Sequence, residues 1–259
     1  MTYLSLAKRS VKRAISLCQR AWLAVPANVE CNICHWTGRR FLSDDWHKHI
    51  TCPKCHTGLR HRLLAATLHH GKGVGLAEIA RDRNVLHFAA EPQIVAILQP
   101  EARHYVRADL THPSADVSLD ITDMPGIADH SYDLVIACDV LEHVADFRRG
   151  LREIRRVLVP GGYAVLTVPQ KDGLLTTHED PTITSPSERK QVFGQSDHLR
   201  IFGDDFADLV SHEGFDVVAF GAESLSPDLV ARHVLFPPFL SSHPLATNYR
   251  KVFFCRKQR

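Results

Sequence analysis

Four cysteines near the N-terminus have the spacing of a metal site. They form two Cys-x2-Cys pairs, Cys31 with Cys34 and Cys52 with Cys55, and seventeen residues separate the pairs. Each pair can direct two sulfurs at one point, and four thiolates close a tetrahedron around zinc that leaves no position for water. The spacing therefore predicts a structural zinc ion rather than a catalytic one. Four histidines nearby are alternative ligands: His35, His47, His49 and His56.

Three acidic residues follow successive apolar runs further along the chain. Glu91 comes after the first run, Asp109 after the second, and Asp120 lies at the third. In an open parallel sheet, ligands bind beyond the carboxyl ends of the strands, and a carboxylate at the end of the second strand is well placed to accept both hydroxyls of a ribose. Each acid also fits a local role, because Asp109 can cap a loop and Asp120 can form an Asx turn.

The elements that must position these acids alternate between strand and helix. From residue 85 onward, short apolar runs are separated by helical segments, which is typical of a parallel sheet with helices on both faces. The clearest helix is predicted over about 141–158, and the sequence Pro160-Gly161-Gly162 is expected to end it. The pattern predicts an α/β fold with a doubly wound, mostly parallel sheet.

The pattern divides the chain into four parts. We expect an amphipathic basic helix at 1–27, a four-cysteine zinc module at 28–60, linking helices at 61–83, and a large domain at 84–259. Within the large domain, 170–200 is polar and without a sustained period, which predicts a long insertion over one end of the sheet.

Charge and cysteine usage limit the partners and the compartment. The formal net charge is +2, so no strong field favours nucleic acid, which is not the expected partner. Paired cysteines of metal type indicate a reducing compartment, and the basic residues in 1–27 exclude a signal peptide there, so we expect a cytoplasmic protein. The basic helix is expected to pack on the domain, with weak peripheral contact with anionic lipid as the alternative. The oligomeric state stays open.

A long motif carries a resemblance to a known family. The stretch SYDLVIACDVLEHVADFRRGLREIRRVLVPGGYAVLTVP, 131–169, resembles the fourth strand, following helix and fifth strand of the class I S-adenosylmethionine-dependent methyltransferases of the methyltransferase type 11-like group. The chain also resembles a bacterial subgroup, often associated with surface-glycan genes, that joins a four-cysteine zinc knuckle to RHRLL, LHFA-E, ADL, DIT and LEHV motifs. This resemblance implies a Rossmann-like, seven-stranded sheet and S-adenosylmethionine as cofactor.

The resemblance also implies roles for individual residues. Asp109 would bind the ribose hydroxyls, and Asp120 with Ile121 would flank the adenine. The turn after the first strand would face the methionine part of the cofactor, with His87 and Ala89 where the family has an acid and a glycine. Glu91 would supply the missing acid, meeting the α-amino group of the cofactor. The place where sulfonium and acceptor meet would be lined by Cys138, Asp139, Glu142 and His143.

The resemblance implies transfer of a methyl group to a small-molecule or glycan acceptor, which we expect at oxygen. A hydroxyl acceptor benefits from a base, and the insertion offers His198 as the first candidate and His178 as the second, because imidazole titrates near neutral pH. Arg200 is a candidate to hold an anionic acceptor. Two other hypotheses stay open: a zinc-containing rRNA methyltransferase, and a non-catalytic binding protein built on a methyltransferase-like domain whose glycine loop has been lost.

Overall fold

A computed structural model describes residues 27–258 of the chain. The N-terminal helix predicted over 1–27 lies outside the described residues except for its last position, and Arg259 also lies outside them. In the described part of the chain, no helix is long and apolar enough to cross a membrane.

The elements follow one another in the alternating order that the sequence predicts. The strands are β1 (Val29–Glu30), β2 (Thr37–Gly38), β3 (Asn84–Phe88), β4 (His104–Asp109), β5 (Val117–Ser118), β6 (Tyr132–Cys138), β7 (Leu158–Thr167), β8 (His178–Glu179), β9 (Arg200–Ile201), β10 (Phe215–Phe220) and β11 (Val252–Lys257). The α-helices are α1 (Leu59–His70), α2 (Leu76–Ile79), α3 (Pro92–Leu98), α4 (Phe147–Val157), α5 (Pro186–Phe193), α6 (Phe206–His212) and α7 (Pro227–His233). Two 3-10 turns cover Leu141–His143 and Ala222–Ser224.

Seven strands form one central sheet in the order β10-β11-β7-β6-β3-β4-β5. All neighbours pair in parallel except β11, which is antiparallel to both β7 and β10. The chain fills one half of the sheet with β3, β4 and β5 and then crosses to β6 on the other side of β3. The strand order therefore reverses between β3 and β6, and in such sheets the ligand crevice lies at the carboxyl ends of the strands that flank this reversal.

The central strands are buried on both faces, which confirms the doubly wound architecture. Leu86 and Val135 belong to one apolar cluster, and their neighbours Val85 and Leu134 belong to the other. Because side chains alternate along a strand, continuous apolar strands need a helical layer on each face. The first layer includes α4, with Ile154 fully buried, and the second includes α1.

The helix predicted over 141–158 is shorter in the structure. A 3-10 turn ends at His143, the chain becomes extended, and α4 begins only at Phe147, where the Asp146 side chain accepts a hydrogen bond from the backbone N–H of Arg149 at 2.9 Å. The Pro160-Gly161-Gly162 sequence does not end this helix. It lies inside β7, where a Cβ at Gly162 would meet the carbonyl oxygen of Asp133 on β6 at 2.9 Å.

The cysteine-rich segment is joined to the sheet domain by Arg62 of α1. Its fully buried guanidinium donates to the carbonyl oxygens of Ile50 and Thr57 in the segment, at 2.8 and 3.0 Å. It also donates to those of His233 and Val234 after α7, at 2.8 and 3.2 Å. One guanidinium therefore satisfies carbonyls from two parts of the chain that lie about 180 residues apart in sequence.

Arg200 plays the corresponding role for the segment 170–200. Its guanidinium is 2% exposed and donates to the carbonyl oxygens of Leu141, Val144 and Ala145, at 2.8, 2.5 and 2.9 Å. Its Nε also donates to Glu179 Oε2 at 2.6 Å. The expectation that Arg200 holds an anionic acceptor is wrong, because these partners occupy its donors inside the protein. The segment itself contains α5, which begins at Pro186 after the Ser185 N-cap, and α5 lies in the chain between β8 and β9, which pair antiparallel.

We expect Arg200→Lys to destabilise the fold by about 2–3 kcal/mol, because an ammonium cannot reproduce the planar fork and buried carbonyls lose their donors. Arg189→Lys is the matched control, since Arg189 makes a single long hydrogen bond to the Ile183 carbonyl at 3.4 Å. Urea unfolding of both variants measures the difference. Equal midpoints for the two variants would contradict the anchoring role of Arg200.

Candidate functional site

A cavity of about 460 Å³ opens at the carboxyl ends of β3, β4 and β6, at the reversal of strand order. Its wall comes mainly from the turns that follow these strands, from residues 119–122 after β5, and from the segment between the 3-10 turn and α4. Its lining residues include Ala89, Asp109, Asp120, Ile121, Asp139 and His143, six of the nine residues that the sequence predicts to bind the cofactor.

The turns after β3 and β6 are shaped by two residues with left-handed backbone conformations. Ala89 has φ of 48° and Asp139 has φ of 53°, values that cost a residue with a Cβ about 1 kcal/mol or more. The Ala89 N–H bonds the Ala108 carbonyl at 3.0 Å, and the Asp139 N–H bonds the Thr167 carbonyl at 2.9 Å. Ala89 therefore adopts a backbone conformation that glycine adopts without strain. Because its side chain is a single methyl group, it takes up little of the cavity's volume.

Asp109 and Asp120 use one carboxylate oxygen each for the local turn. Asp109 Oδ1 accepts from the N–H groups of Thr111 and His112 at 2.9 and 2.8 Å, and these bonds lower its pKa. Asp120 Oδ1 accepts from the backbone N–H and the hydroxyl of Thr122, both at 2.8 Å. The local turns expected for these acids therefore form, while both side chains also line the cavity.

Three of the predicted cofactor residues do not line this cavity: His87, Glu91 and Cys138. His87 lies within β3, fully buried, and its Nδ1 is 2.6 Å from the hydroxyl of Tyr105. Burial lowers the pKa of His87 to about 4, so its imidazole is neutral at neutral pH. Cys138 ends β6 and is also buried, which raises the pKa of its thiol. Within the described residues, Nε2 of His87 has no hydrogen-bond partner.

Glu91 points towards the start of α1, where Arg60 joins it to Asp139. Nη1 of Arg60 contacts Glu91 Oε1, and Nε of Arg60 lies 2.7 Å from Asp139 Oδ2. Nε2 of His61 is 3.2 Å from the same Glu91 oxygen. Arg60 therefore connects the turns after the two central strands, and it follows the cysteine-rich segment directly in sequence. Sequence reasoning missed this role, although the position of Arg60 in the RHRLL motif was a signal.

The surroundings of Glu91 hold its carboxyl in the charged state. Burial raises its pKa, but the hydrogen bond from His61 and the charge of Arg60 outweigh burial and lower the pKa to about 2. The stability that this carboxylate contributes is therefore present above about pH 4.5 and is lost as the pH falls towards 2. Its second oxygen, Oε2, is buried and has no hydrogen-bond partner in the part of the chain that the structure describes.

The two predicted bases lie in different surroundings. His198 is 3% exposed, and its ring centroid is 4.9 Å from that of His143, which lines the cavity. Burial lowers the pKa of His198 to about 4. His178 is exposed on β8 and packs against Phe193, with ring centroids 5.6 Å apart, and it does not line the cavity.

Glu142 lies beside His143 and His198 and is 1% exposed. The ligand-type atoms of the three residues lie within 4.8 Å of one another. Burial raises the pKa of Glu142 well above its usual value, and the charge of Asp139 adds to this effect. Of this group, His143 lines the cavity together with Asp139, while Glu142 and His198 are buried beside His143.

The four cysteines lie together in the segment that leads into the start of α1. Sγ of Cys31 is 3.7 Å from that of Cys55, Sγ of Cys34 is 3.6 Å from that of Cys52, and all four sulfurs lie within 4.8 Å of one another. Sulfurs held at about 2.3 Å from a tetrahedral zinc ion are separated by about 3.8 Å, so the cluster fits zinc. No disulfide joins them, since such a bond needs about 2.05 Å.

The histidines considered as alternative ligands lie outside the sulfur cluster. His35 and His56 each follow a Cys-x2-Cys pair, and both have φ near 60°, with N–H groups that bond the carbonyls of Cys31 and Cys52 at 2.9 and 3.0 Å. His47 instead directs Nε2 to the carbonyl oxygen of Thr247 at 2.8 Å. The two cysteine turns therefore have the same backbone geometry, which directs their sulfurs to a common point.

Comparison with known proteins gives a family for the central part of the chain. Residues 71–166 match a family described as a methyltransferase domain, and this segment contains β3 to β6 and most of β7. Over 60 residues, or 23% of this chain, the sequence is 45% identical to fumosorinone synthetase of Cordyceps fumosorosea, and the match covers 1% of that protein. The chain therefore spans a very small part of the length of this relative.

Two solved structures are similar at low sequence identity. One is the 1,6-didemethyltoxoflavin-N1-methyltransferase of Burkholderia thailandensis, with 15% identity, 78% of this chain and 88% of that chain covered, and a TM-score of 0.49. Another is the YcgJ protein of Bacillus subtilis, with 15% identity, coverage of 71% and 95%, and a TM-score of 0.45.

We expect Cys34→Ser and Cys55→Ser to reduce the zinc content from one ion per chain and to shorten zinc retention against a chelator by at least about tenfold, because a thiolate ligand is lost. His35→Asn and His56→Asn are the controls, since asparagine tolerates the left-handed conformation of these positions. Elemental analysis measures zinc, and melting curves with and without chelator measure its effect on stability. Full zinc content in either serine variant would contradict the four-cysteine site.

We expect Arg60→Met to lower the free energy of unfolding by about 3 kcal/mol, because two largely buried carboxylates lose their common cation. Arg81→Met is the matched control: its pair with Glu101 is exposed and screened by solvent, so the loss should be much smaller. Adding Glu91→Gln to Arg60→Met should recover about 1 kcal/mol, since one unpaired charge is removed. Chemical denaturation of the four proteins tests this, and equal losses for the two arginines would refute the bridging role.

Proposed function

We propose that this chain, in which residues 71–166 match a methyltransferase domain, is a class I S-adenosylmethionine-dependent methyltransferase that transfers the cofactor's methyl group to an oxygen of a small-molecule or glycan acceptor. The observation that supports this most directly is the cavity at the reversal of strand order, lined by Asp109 and Asp120 at the ends of successive strands. Its volume is in the range of small-ligand sites, and the net charge of +2 offers no general attraction to nucleic acid.

The residues present fit the cofactor in their polar chemistry. Each of Asp109 and Asp120 bonds its local turn through Oδ1, and we propose that Oδ2 of Asp109 accepts from the ribose hydroxyls while Asp120 and Ile121 flank the adenine. At the methionine end, two buried polar atoms have no partner among the described residues: Nε2 of His87 and Oε2 of Glu91. An orphaned carboxylate oxygen suits an ammonium group, so Glu91 remains the proposed partner of the cofactor's α-amino group.

The remaining predicted cofactor residues would form the walls around the reacting atoms. The small side chain of Ala89 leaves room for a ligand beside the turn after β3. Asp139 and His143 line the cavity beyond β6. Cys138 lies under Asp139 and contributes apolar bulk rather than a thiolate, since burial raises the pKa of its thiol. We propose that Arg60 offsets the negative charge of Glu91 and Asp139, so that both turns keep their positions with or without a charged ligand.

When bound, S-adenosylmethionine supplies a methyl group on a positively charged sulfur, which an acceptor oxygen attacks in line. The protein's part is to orient the acceptor, exclude water and receive the acceptor proton. His143 reaches the cavity and His198 packs behind it, so His198 keeps its place as the proposed base, acting beside His143. His178 remains the second candidate, although it lies on the exposed hairpin outside the cavity wall.

The four-cysteine cluster is proposed to hold a structural zinc ion, with all four positions filled by thiolates. We retain the proposed division into 1–27, a zinc module at 28–60, linking helices at 61–83 and a methyltransferase domain at 84–259 with an insertion at 170–200. A cytoplasmic location, and peripheral lipid contact through 1–27, also remain proposals.

We expect Asp109→Asn to raise the dissociation constant of S-adenosylmethionine at least about tenfold, because the charge-assisted hydrogen bonds to the ribose are lost. Asparagine keeps an acceptor oxygen for the N–H groups of Thr111 and His112, so the local turn should survive. Asp129→Asn is the control, since Asp129 is exposed and pairs with Arg156 away from the cavity. Titration calorimetry with S-adenosylmethionine and S-adenosylhomocysteine measures the affinities.

The same measurements decide between the functions. No saturable cofactor binding by the folded, zinc-loaded protein would leave a non-catalytic binding protein. Given cofactor binding, a methyl-transfer screen over nucleotide sugars, glycans and RNA identifies the acceptor, and activity confined to RNA would replace the proposed function by RNA methylation. An unchanged affinity in Asp109→Asn would show that the ribose site lies elsewhere.

A further inference from the structure

We propose that Glu142, His143 and His198 form a binding site for a divalent first-row transition-metal ion, separate from the four-cysteine cluster. The three side chains offer one carboxylate oxygen and two imidazole nitrogens, and these atoms lie within 4.8 Å of one another. Two imidazoles with one carboxylate suit zinc, cobalt, nickel or ferrous iron, whereas magnesium and calcium prefer sets of oxygen ligands.

Two of these ligands are buried, and each has a polar atom that lacks a hydrogen-bond partner. Glu142 is 1% and His198 is 3% exposed, and Oε2 of Glu142 and Nδ1 of His198 have no hydrogen-bond partner within the described residues. A buried polar atom without a partner is destabilising, so two such atoms in one cluster form a costly arrangement. A metal ion placed between them would satisfy both atoms at once.

The backbone around the cluster holds these side chains in place. The N–H of Leu199 bonds the carbonyl oxygen of Glu142 at 2.9 Å, directly after His198. Arg200 then donates to the carbonyl oxygens of Leu141 and Val144 on either side of the Glu142–His143 pair. The segment that carries His198 is thus fixed to the 3-10 turn that carries the other two ligands, and the cluster is preorganised.

The chemistry of the unpartnered atoms suits a cation, because Oε2 of Glu142 is a carboxylate oxygen and Nδ1 of His198 is an imidazole nitrogen. Arg200 lies nearby, but its guanidinium donates to backbone carbonyls and to Glu179. A bound divalent cation favours a charged carboxylate and a neutral imidazole, the forms in which these side chains act as ligands.

The third ligand opens the site to the cavity. His143 is exposed and lines the cavity, so three protein ligands would leave coordination positions facing its interior. If the proposed function holds, an acceptor hydroxyl bound there would have a lowered pKa and would lose its proton to water. Its oxygen would then form the bond to the methyl carbon as the carbon–sulfur bond breaks. With an ion bound, His198 would serve as a ligand and the proton would leave to water, whereas without one His198 keeps the role of base proposed above.

The test uses the full chain without an affinity tag, loaded with one zinc ion, and titrates it with Co²⁺ in the absence of cofactor and acceptor. We expect one further ion per chain, measured by equilibrium dialysis, with no release of zinc and no thiolate-to-cobalt charge-transfer band. Glu142→Gln and His198→Asn should weaken Co²⁺ binding by about 100-fold or more, since ligands matter at least as much as their supporting residues.

Two further variants keep the test decisive. His143→Asn alters an exposed side chain, so folding should be unaffected while Co²⁺ affinity falls at least about tenfold. His104→Asn changes an exposed histidine at the far end of β4 and should leave Co²⁺ binding unchanged. No Co²⁺ ion bound beside the zinc ion in the wild-type protein, or equal affinity in His143→Asn and His104→Asn, would overturn the site. Because no cofactor is present, this result is independent of whether the chain transfers methyl groups.

Discussion

The position of Arg60 between two carboxylates is the interaction on which the rest of the site depends. Glu91 follows the first central strand and Asp139 follows the next strand across the reversal of order, so their turns form the two edges of the crevice. Two largely buried carboxylates this close would repel each other without a cation between them. Arg60 removes this repulsion. Because it lies in the first turn of α1, next to the cysteine-rich segment, it also makes that segment part of the cavity's support.

Two other arginines stabilise irregular parts of the fold by donating hydrogen bonds to buried groups. Loops carry backbone carbonyls that no helix or sheet satisfies, and burying them is costly unless donors are supplied. Arg62 supplies donors where the cysteine-rich segment meets the chain after α7, and Arg200 supplies them where the segment 170–200 meets the 3-10 turn. A planar guanidinium suits both places because its donors reach several carbonyls at once.

The cavity consequently has two electrostatically different ends. At one end, Asp109 and Asp120 are held by short turns, each with one oxygen committed to backbone N–H groups. At the other end, His143 lines the cavity, and beside it Oε2 of Glu142 and Nδ1 of His198 are buried without a hydrogen-bond partner among the described residues. The first arrangement suits hydroxyl and amine donors of a nucleoside, and the second suits a cation. Ala89, in a strained left-handed turn, also lines the cavity.

The sequence by itself determined the features that depend on local spacing and period. The cysteine spacing predicted a four-sulfur cluster, the alternation of apolar runs predicted a doubly wound sheet, and acids at strand ends predicted Asp109 and Asp120 at one crevice, because covalent geometry fixes these relations over short distances. The length of α4 and the place of the Pro-Gly-Gly sequence inside β7 were missed, since strand pairing outweighs local helix signals.

Only the tertiary structure decided which distant side chains meet. Glu91 pairs with Arg60, and His87 is buried within the sheet. Arg200 donates to loop carbonyls, and His198 lies against Glu142 and His143. Each of these relations joins residues far apart in sequence or depends on how layers pack on the sheet. No local pattern encodes them, because the partner of a buried charge is set by the three-dimensional arrangement that leaves the fewest polar groups unsatisfied.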